Sequence, residues 1–538
     1  MKDEKLKRLY DGVTDIRDDI IEEAEETASV KKKRIWIRWM AAAACVCLAV
    51  GGGLYAFMRQ GANDAQTPGT GGSGHEEGSV FMSYAGPLLP LTLKDAAQGI
   101  TAQRNIVFDF EPYRDRTETL EYTELDGKIV SDTYVTCDRN SVVSDGYMLT
   151  NNTDEDVTLT ALYPFCGSFA DLSEIMPEIT VNGEKMDAEW LPGWYAGGFM
   201  GVYGDGGFDD TTFNLCKPGE FGDYVSKLED SEYLEKVFEE YPELNESVIV
   251  YEVVNYRADR SNKNKDTNPS LGVRYTESEN TTVLSYGFHG MRGFDDGSIS
   301  RSFSVPKKGF VNDGQTYCMI VLGDDIQNVS LQGYSTLAAE EGNESGGAYG
   351  ELKRYTSTLG EMLRRLTKEY LSMELDRYFS GSGEESIVPE DVYCGEVARA
   401  LTEYGILSEH PVDRYDHGML MEIFSEVNIW DRIMYVTFNV TIPAGQSIDI
   451  KAKMIKHASF DFDPVCSGSE NIGVHGYDMA VSAGSNLAFS SLTASVEDRG
   501  LVEIVRQNFG FDLQKGIRTV ELDIKTERYY LEVRKIGS

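Results

Sequence analysis

The stretch YVTFNVTIPAGQSIDIKAKM, Tyr435–Met454, decides the fold class. Val436, Phe438, Val440 and Ile442 alternate with Thr437, Asn439 and Thr441. After Pro443-Ala444-Gly445-Gln446, Ile448, Ile450, Ala452 and Met454 alternate with Ser447, Asp449, Lys451 and Lys453. Apolar side chains at every second residue lay one face of a strand on a core and leave the other in water. Two such runs joined by a short turn predict a hairpin.

The same period recurs outward from this stretch. Val157, Leu159 and Ala161 alternate with Thr158 and Thr160 behind the turn Asn151-Asn152-Thr153-Asp154. Val520, Leu522 and Ile524, then Tyr529, Leu531 and Val533, repeat it near the C-terminus. Half-buried strands with short turns predict a sandwich. The middle of the chain changes period. Leu352, Tyr355, Leu359, Met362, Leu366, Tyr370 and Met373 are spaced by threes and fours, which predicts one amphipathic helix of about 28 residues. Ser386 with Pro389 opens another helix that Gly405 closes. Residues 223–240 and 418–430 also read as helices, with strands at Ser247–Tyr256, Thr281–Phe288 and Tyr317–Leu322 between them.

Charge divides the chain elsewhere. Its 538 residues carry 50 Lys+Arg and 89 Asp+Glu, a net of −39. Residues 1–58 hold ten basic and ten acidic side chains, so the whole excess lies beyond residue 58. A chain this acidic repels phosphates, so no nucleic acid is expected as a partner. From Trp39 to Met58 the chain reads WMAAAACVCLAVGGGLYAFM, twenty residues without a charge. At about 1.5 Å rise per residue they match a hydrocarbon core of about 30 Å. Lys31–Arg34 precede this stretch, Arg38 abuts it, and only Arg59 follows closely. The positive-inside rule then predicts a single pass, with a cytoplasmic N-terminus and an extracellular C-terminal part at the cell membrane. A cleaved signal peptide fits less well, since 38 residues precede the apolar run. In front of it, Leu6, Leu9, Val13, Ile16 and Ile20 form one helical stripe, a face for a cytosolic protein, another copy of the chain or, least favoured, the bilayer surface.

The expected class is therefore α+β: an N-terminal amphipathic helix and single transmembrane helix, then a β-rich, sandwich-like ectodomain with a partly helical middle. The expected division is a cytoplasmic amphipathic helix at 1–34, a transmembrane helix at 35–58 that meets the lipid bilayer, and a Gly/Ser-rich flexible linker at 59–79. A β-rich domain at 80–220, a mixed α/β middle at 221–430 and a β-rich region at 431–538 follow. The pattern leaves open whether the two flanking β-rich regions form one sandwich or two.

The phrases LYDGVTDIRDDIIEEAEE and KKKRIWIRWMAAAACVCLAVGGG near the N-terminus resemble the start of a group of single-pass membrane surface proteins of Gram-positive anaerobes, some described as anti-sigma-factor-like. FMSYAGPLLPLTL, YMLTNNTDEDVTLTALYPF, YVTFNVTIPAGQSIDI, NIGVHGYDMAVSAGSNLAF and VEIVRQNFGFDLQKGI are similar to the same group. The resemblance implies a membrane-anchored surface protein and no particular activity. A zinc-type anti-sigma domain is excluded, because residues 1–38 contain neither His nor Cys.

Chemistry is sparsely marked. No nucleophile elbow, Walker loop, zincin motif or dinucleotide fingerprint is present. No cofactor is expected, and the reading leans away from an enzyme. Trp190, Trp194, Tyr195 and Phe199, set among glycines, fit either a stacking surface for a sugar or peptide or simple packing. Asp205, Asp209 and Asp210 fit either calcium ligation through oxygen or solvated turns. Cys137, Cys166, Cys216, Cys318, Cys394 and Cys466 read as free thiols in a part too large to need disulfides. The layout predicts an anchored ligand-binding or sensory protein that signals through its cytoplasmic helix, with an unknown extracellular ligand. The alternatives are a structural or adhesive envelope protein and, less favoured, a glycan- or peptide-acting ectoenzyme.

Overall fold

The computed structural model describes residues 81–537, apart from 85, 124–128, 195–225, 260–267, 307–313, 338–341, 343, 346, 379–387, 412–414 and 463–471. The expected elements at 1–34, 35–58 and 59–79 lie outside the described residues. No helix among the described residues is long and apolar enough to cross a membrane.

The protein is β-rich. In chain order its first strands are β1 (Phe81–Tyr84), β2 (Thr92–Leu93), β3 (Ile100–Asp109), β4 (Arg116–Thr123), β5 (Ile129–Thr136), β6 (Asn140–Asn151) and β7 (Val157–Gly167). Helix α1 (Leu172–Ile175), strands β8 (Glu178–Val181), β9 (Glu184–Lys185) and β10 (Glu189–Leu191), and helix α2 (Glu232–Phe238) follow. Next come β11 (Ser247–Ala258), β12 (Ser270–Thr276), β13 (Thr281–Tyr286), β14 (Gly290–Gly293), β15 (Ile299–Ser304), β16 (Tyr317–Gly323), β17 (Gln327–Tyr334) and β18 (Ala348–Thr358). Helices α3 (Leu359–Tyr378), α4 (Glu390–Glu403) and α5 (Leu420–Ile429) lead into β19 (Arg432–Ile442) and β20 (Ser447–His457). The chain ends with β21 (Phe460–Phe462), β22 (Val474–Ala480), β23 (Ala488–Glu497), β24 (Val502–Gln507), β25 (Thr519–Glu521) and β26 (Arg528–Lys535).

Two compact units result. Among the described residues, Tyr241–Val427 with Glu121–Ser131 forms one; the stretches up to Leu120, Asp132–Glu240 and from Asn428 onward supply the other. The flanking β-rich regions therefore build one unit together. β19 pairs with β7 and β10, β20 with β6 and β8, and β23 runs parallel to β3. Helix α2 belongs with this flanking unit, so the inserted unit begins near residue 241 rather than 221.

The stretch Tyr435–Met454 is not a hairpin. β19 lies in the sheet β10-β19-β7-β2, whereas β20 lies in the seven-stranded sheet β25-β23-β3-β6-β20-β8-β9. The turn at 443–446 is a corner that carries the chain from one sheet to the other. β6 and β7 make the same crossing through 151–156. Alternation is identical in a hairpin and in a corner, because both lay their apolar faces on one core. Tyr147 of β6 and Tyr163 of β7 meet edge to face across that core, ring centroids 6.4 Å apart.

The two corners stack on each other. The Asn151 amide N–H donates to the Gln446 carbonyl at 2.9 Å, and Gly445 N–H to the Thr153 carbonyl at 3.1 Å. The Asn151 side chain is fully buried. Its Nδ2 donates to the carbonyls of Glu155 (2.7 Å) and Ile442 (3.0 Å), and its Oδ1 accepts from Thr153 N–H (2.9 Å). Gly445 turns the second corner at φ +65°, a conformation that side chains strain to adopt.

The inserted unit has three layers. Sheets β13-β16-β11-β18 and β14-β15-β12-β17 enclose a core that includes Val253, Val273, Phe303, Tyr317 and Met319. Tyr317–Val321 of β16 are buried without a break, because helices cover the far face of that sheet. Phe424 of α5 meets Tyr286 of β13 at 5.8 Å and Tyr370 of α3 at 5.2 Å. Arg365 of α3 clasps both carboxylate oxygens of Glu252 on β11, at 3.1 and 3.0 Å. The long helix expected from Leu352 starts only at Leu359, since Leu352 and Tyr355 belong to β18, paired with Val253 and Val250 of β11. Thr358 and Glu361 form a reciprocal cap, Glu361 N–H to Thr358 Oγ1 and Thr358 N–H to Glu361 Oε2, each 3.3 Å. The helix opening at Pro389 and closing at Gly405, and that at 418–430, form as expected.

Removing the Asn151 carboxamide leaves the Ile442 and Glu155 carbonyls and the Thr153 N–H short of partners. Asn151→Ala is expected to cost about 2–3 kcal/mol, read as a lower denaturant midpoint. Thr358→Ala, at an exposed cap, is expected to cost about 1 kcal/mol.

Candidate functional site

The two aromatic positions that the structure describes are both packed. Trp190 sits on edge strand β10 opposite Val436, and its ring meets Phe169 at 5.9 Å. The Arg432 guanidinium lies 4.3 Å from the centre of the same Phe169 ring. Trp194 follows at the end of the strand, and its carbonyl accepts from Ile433 N–H at 3.0 Å. Gly193 permits this approach, since a Cβ there would stand 1.5 Å from the Ile433 carbonyl oxygen. The Trp194 ring meets Tyr233 of α2 at 5.9 Å. The Lys227 and Lys236 ammonium groups stand 5.0 and 5.4 Å from its centre, within cation–π range. Trp190 and Trp194 thus engage different rings. Tyr195, Phe199, Asp205, Asp209 and Asp210 lie outside the described residues. Among the described residues no group of three or more His, Cys, Asp or Glu side chains is placed to hold a metal ion. Cys137, Cys166, Cys318 and Cys394 are free thiols.

A second set of polar residues lies inside the flanking unit. Arg104 occupies an inward position of β3, between Ala102 and Ile106. Asp145 occupies one on β6, between Val143 and Tyr147. Arg104 Nε and Nη2 donate to the two Asp145 oxygens at 3.0 and 2.8 Å, and both side chains are fully buried. Tyr147 and Tyr163 hydroxyls donate to Asp145 Oδ2 at 2.7 and 3.1 Å. Arg104 also donates to the carbonyls of Leu89 and Ala480, at 3.3 and 2.9 Å. Each charge meets its opposite and its hydrogen-bonding capacity is largely used, so this network ties strands together and leaves little for a ligand.

Lys456 differs. It ends the inward stripe Ile448, Ile450, Ala452 and Met454 of β20, and is 4% exposed. Its Nζ donates to the His457 carbonyl at 2.9 Å. Burial lowers its affinity for a proton, against the pull of Cys166, Asp478 and Asp431. Burial pushes the Asp431 carboxyl up to about 7, with Asp171 adding to the rise and Lys456 opposing it. Burial also raises the Cys166 thiol, whose Sγ donates to the Pro87 carbonyl at 3.5 Å. Nearby, Asp478 pairs with Arg528 at 2.8 Å, and Glu532, raised by burial, pairs with Arg506. The signal for Arg104, Asp145 and Lys456 was available in the sequence: the first two interrupt a period-two apolar stripe at an inward position, and Lys456 ends one.

His475 of β22 is buried and opposite in sense. Burial, then the Arg139 charge, pushes its imidazole down to about 4. Arg139 Nη1 lies 3.3 Å from its Nε2, which therefore accepts and stays unprotonated.

In comparisons with known proteins, no family model, curated protein or solved structure matches this chain.

The two titrating groups tilt stability in opposite directions. For His475, the unfolded chain takes up a proton below about pH 6.5 while the folded chain resists until about 4. Stability is lost across that window as pH falls, by about 3 kcal/mol in all. For Asp431, the folded carboxyl keeps its proton up to about 7 while the unfolded one ionises near 3.8, so stability is lost as pH rises through that window. Denaturant midpoints between pH 4.5 and 8 test both: His475→Gln should flatten the acid limb, and Asp431→Asn should raise the neutral limb.

Proposed function

We propose that the chain is a single-pass membrane-anchored surface protein whose β-rich part binds or senses something outside the cell and signals through its cytoplasmic helix. One observation carries this reading: an uncharged run of twenty residues, Trp39–Met58, stands behind Lys31–Arg34 and ahead of a body that bears the entire −39. The apolar stripe Leu6, Leu9, Val13, Ile16 and Ile20 on the other side supplies a face for a cytosolic protein. The β-rich fold beyond residue 80 supports a folded ectodomain, and the similarity to single-pass surface proteins of Gram-positive anaerobes agrees with this order of parts.

A second reading, a structural or adhesive envelope protein, is favoured by the packing of Trp190 and Trp194 against Phe169 and Tyr233, which occupies rings that a ligand would need. Replacing residues 1–30 by an unrelated soluble helix separates the two. Loss of a cellular response supports signalling; an unchanged phenotype supports the envelope role.

The anchor itself is tested by topology. A phosphatase that folds only outside the cytoplasm should be active when fused after Gly78 and inactive when fused after Ser29. The full chain should stay with membranes through alkaline extraction, and deletion of Trp39–Met58 should release it. Activity of neither fusion, or release of the intact chain, overturns the reading.

A further inference from the structure

The seven-stranded sheet turns one face to the core through Ala102, Arg104, Ile106 and their neighbours, and the other to solvent. The strand register sets side chains on that outer face in rows. One row reads Glu521, Thr493, Asn105, Gly146, Lys451 across β25, β23, β3, β6 and β20. The row is symmetric in spacing about Asn105: Glu521 lies two strands to one side and Lys451 two strands to the other. Asn105, Lys451 and Glu521 are exposed, and Met148, in the next row, is 46% exposed. With a strand spacing of about 4.8 Å and a same-face repeat of about 6.8 Å, the face covers on the order of 700 Å². That is close to the roughly 800 Å² per partner of a stable interface.

We propose that this face is a twofold self-association surface, on which a second copy of the chain docks face to face about an axis that lies between the two faces and runs along β3 over Asn105. Two observations select this occupant. First, a body carrying −39 repels its own copies, so contact between copies favours the place where repulsion is least. Second, the face is self-complementary. A twofold axis over Asn105 sets Lys451 of each copy over Glu521 of the other, making two ion pairs. It sets Gly146, with no side chain, opposite Thr493, and Met148 opposite Ser491, which shares the Gln103 row with it. Aligned packing of two sheet faces is an ordinary geometry for antiparallel sheets.

The test uses the full-length chain in mild detergent. Asn105→Cys, on the axis, should form a disulfide-linked dimer under mild oxidation. The parent chain and Thr158→Cys, exposed on a different sheet, should not. Lys451→Glu should slow cross-linking roughly tenfold by setting like charges together, and adding Glu521→Lys to that variant should restore it. Gln103→Cys, one row further along the same axis on β3, serves where Asn105→Cys fails to fold by circular dichroism. Cross-linking no faster than in the Thr158→Cys control overturns the proposal, as does a charge swap that restores nothing. A chain that stays monomeric but binds a neutral polysaccharide, with binding lost in Met148→Glu, also overturns it and assigns the face to a glycan.

Discussion

The flanking unit depends on one contact between two corners far apart in sequence. Asn151 belongs to the first corner and Gln446 to the second, and the inserted unit lies between them in the chain. Closing so long a loop costs entropy that grows slowly with length, so the ends need strong and specific pairing. The Asn151 carboxamide supplies specificity, because it satisfies carbonyls of both corners from one buried position. With the corners in register, β6 meets β20 over eleven residue pairs and β7 meets β19 over eleven more. A slip of one residue at the corners would turn every inward side chain of four strands outward.

The second constraint is charge inside the sheet. Arg104 and Asp145 sit on neighbouring strands with both groups dry, an arrangement that costs desolvation and is tolerated only when the hydrogen bonds are nearly complete. Tyr147, Tyr163 and the carbonyls of Leu89 and Ala480 complete them. The pair therefore holds the segment around Leu89 and the end of β22 against the same sheet. Lys456 lacks a bidentate carboxylate partner of this kind: its Nζ donates to the His457 carbonyl, and burial lowers its affinity for a proton. The contrast separates a closed ion pair from a single buried ammonium, although both occupy inward positions of the same sheet.

Much of the fold was legible in the sequence because it rests on period two. Strands at 157–161, 436–442 and 447–454, and the helices at 390–403 and 420–429, follow from local pattern. Partner choice did not, since a strand's alternation does not say which sheet it joins; Tyr435–Met454 reads as a hairpin and folds as a corner. The start of α3 was obscured because Leu352 and Tyr355 happen to fall in helical spacing with Leu359, while the cap at Thr358 and Glu361 marks the true boundary. At the candidate site, Trp190 and Trp194 were visible but their partners were not. Phe169, Tyr233, Lys227 and Lys236 come from other segments, and nothing local to the tryptophans names them. The inward charges were the reverse case: parity alone places Arg104, Asp145 and Lys456 on the core side of their strands.

The wet faces of the same sheets answer a problem set by the net charge. Strand register on an exposed face needs cross-strand pairs, and acidic pairs would repel. The chain instead sets hydroxyl and amide groups opposite one another: Thr150 with Ser447 at 2.8 Å, Thr158 with Thr441 at 3.0 Å, Thr160 with Asn439 at 2.8 Å and Ser495 with Thr519 at 2.9 Å. These pairs align strands without adding to a net of −39. Where hydroxyl and amide pairs stand in place of charges, the face also adds nothing to the repulsion that keeps the rest of the body apart from its copies. Contact between copies is then a physical consequence of how the sheet is held in register, and its twofold form follows from the even spacing of Glu521 and Lys451 about Asn105.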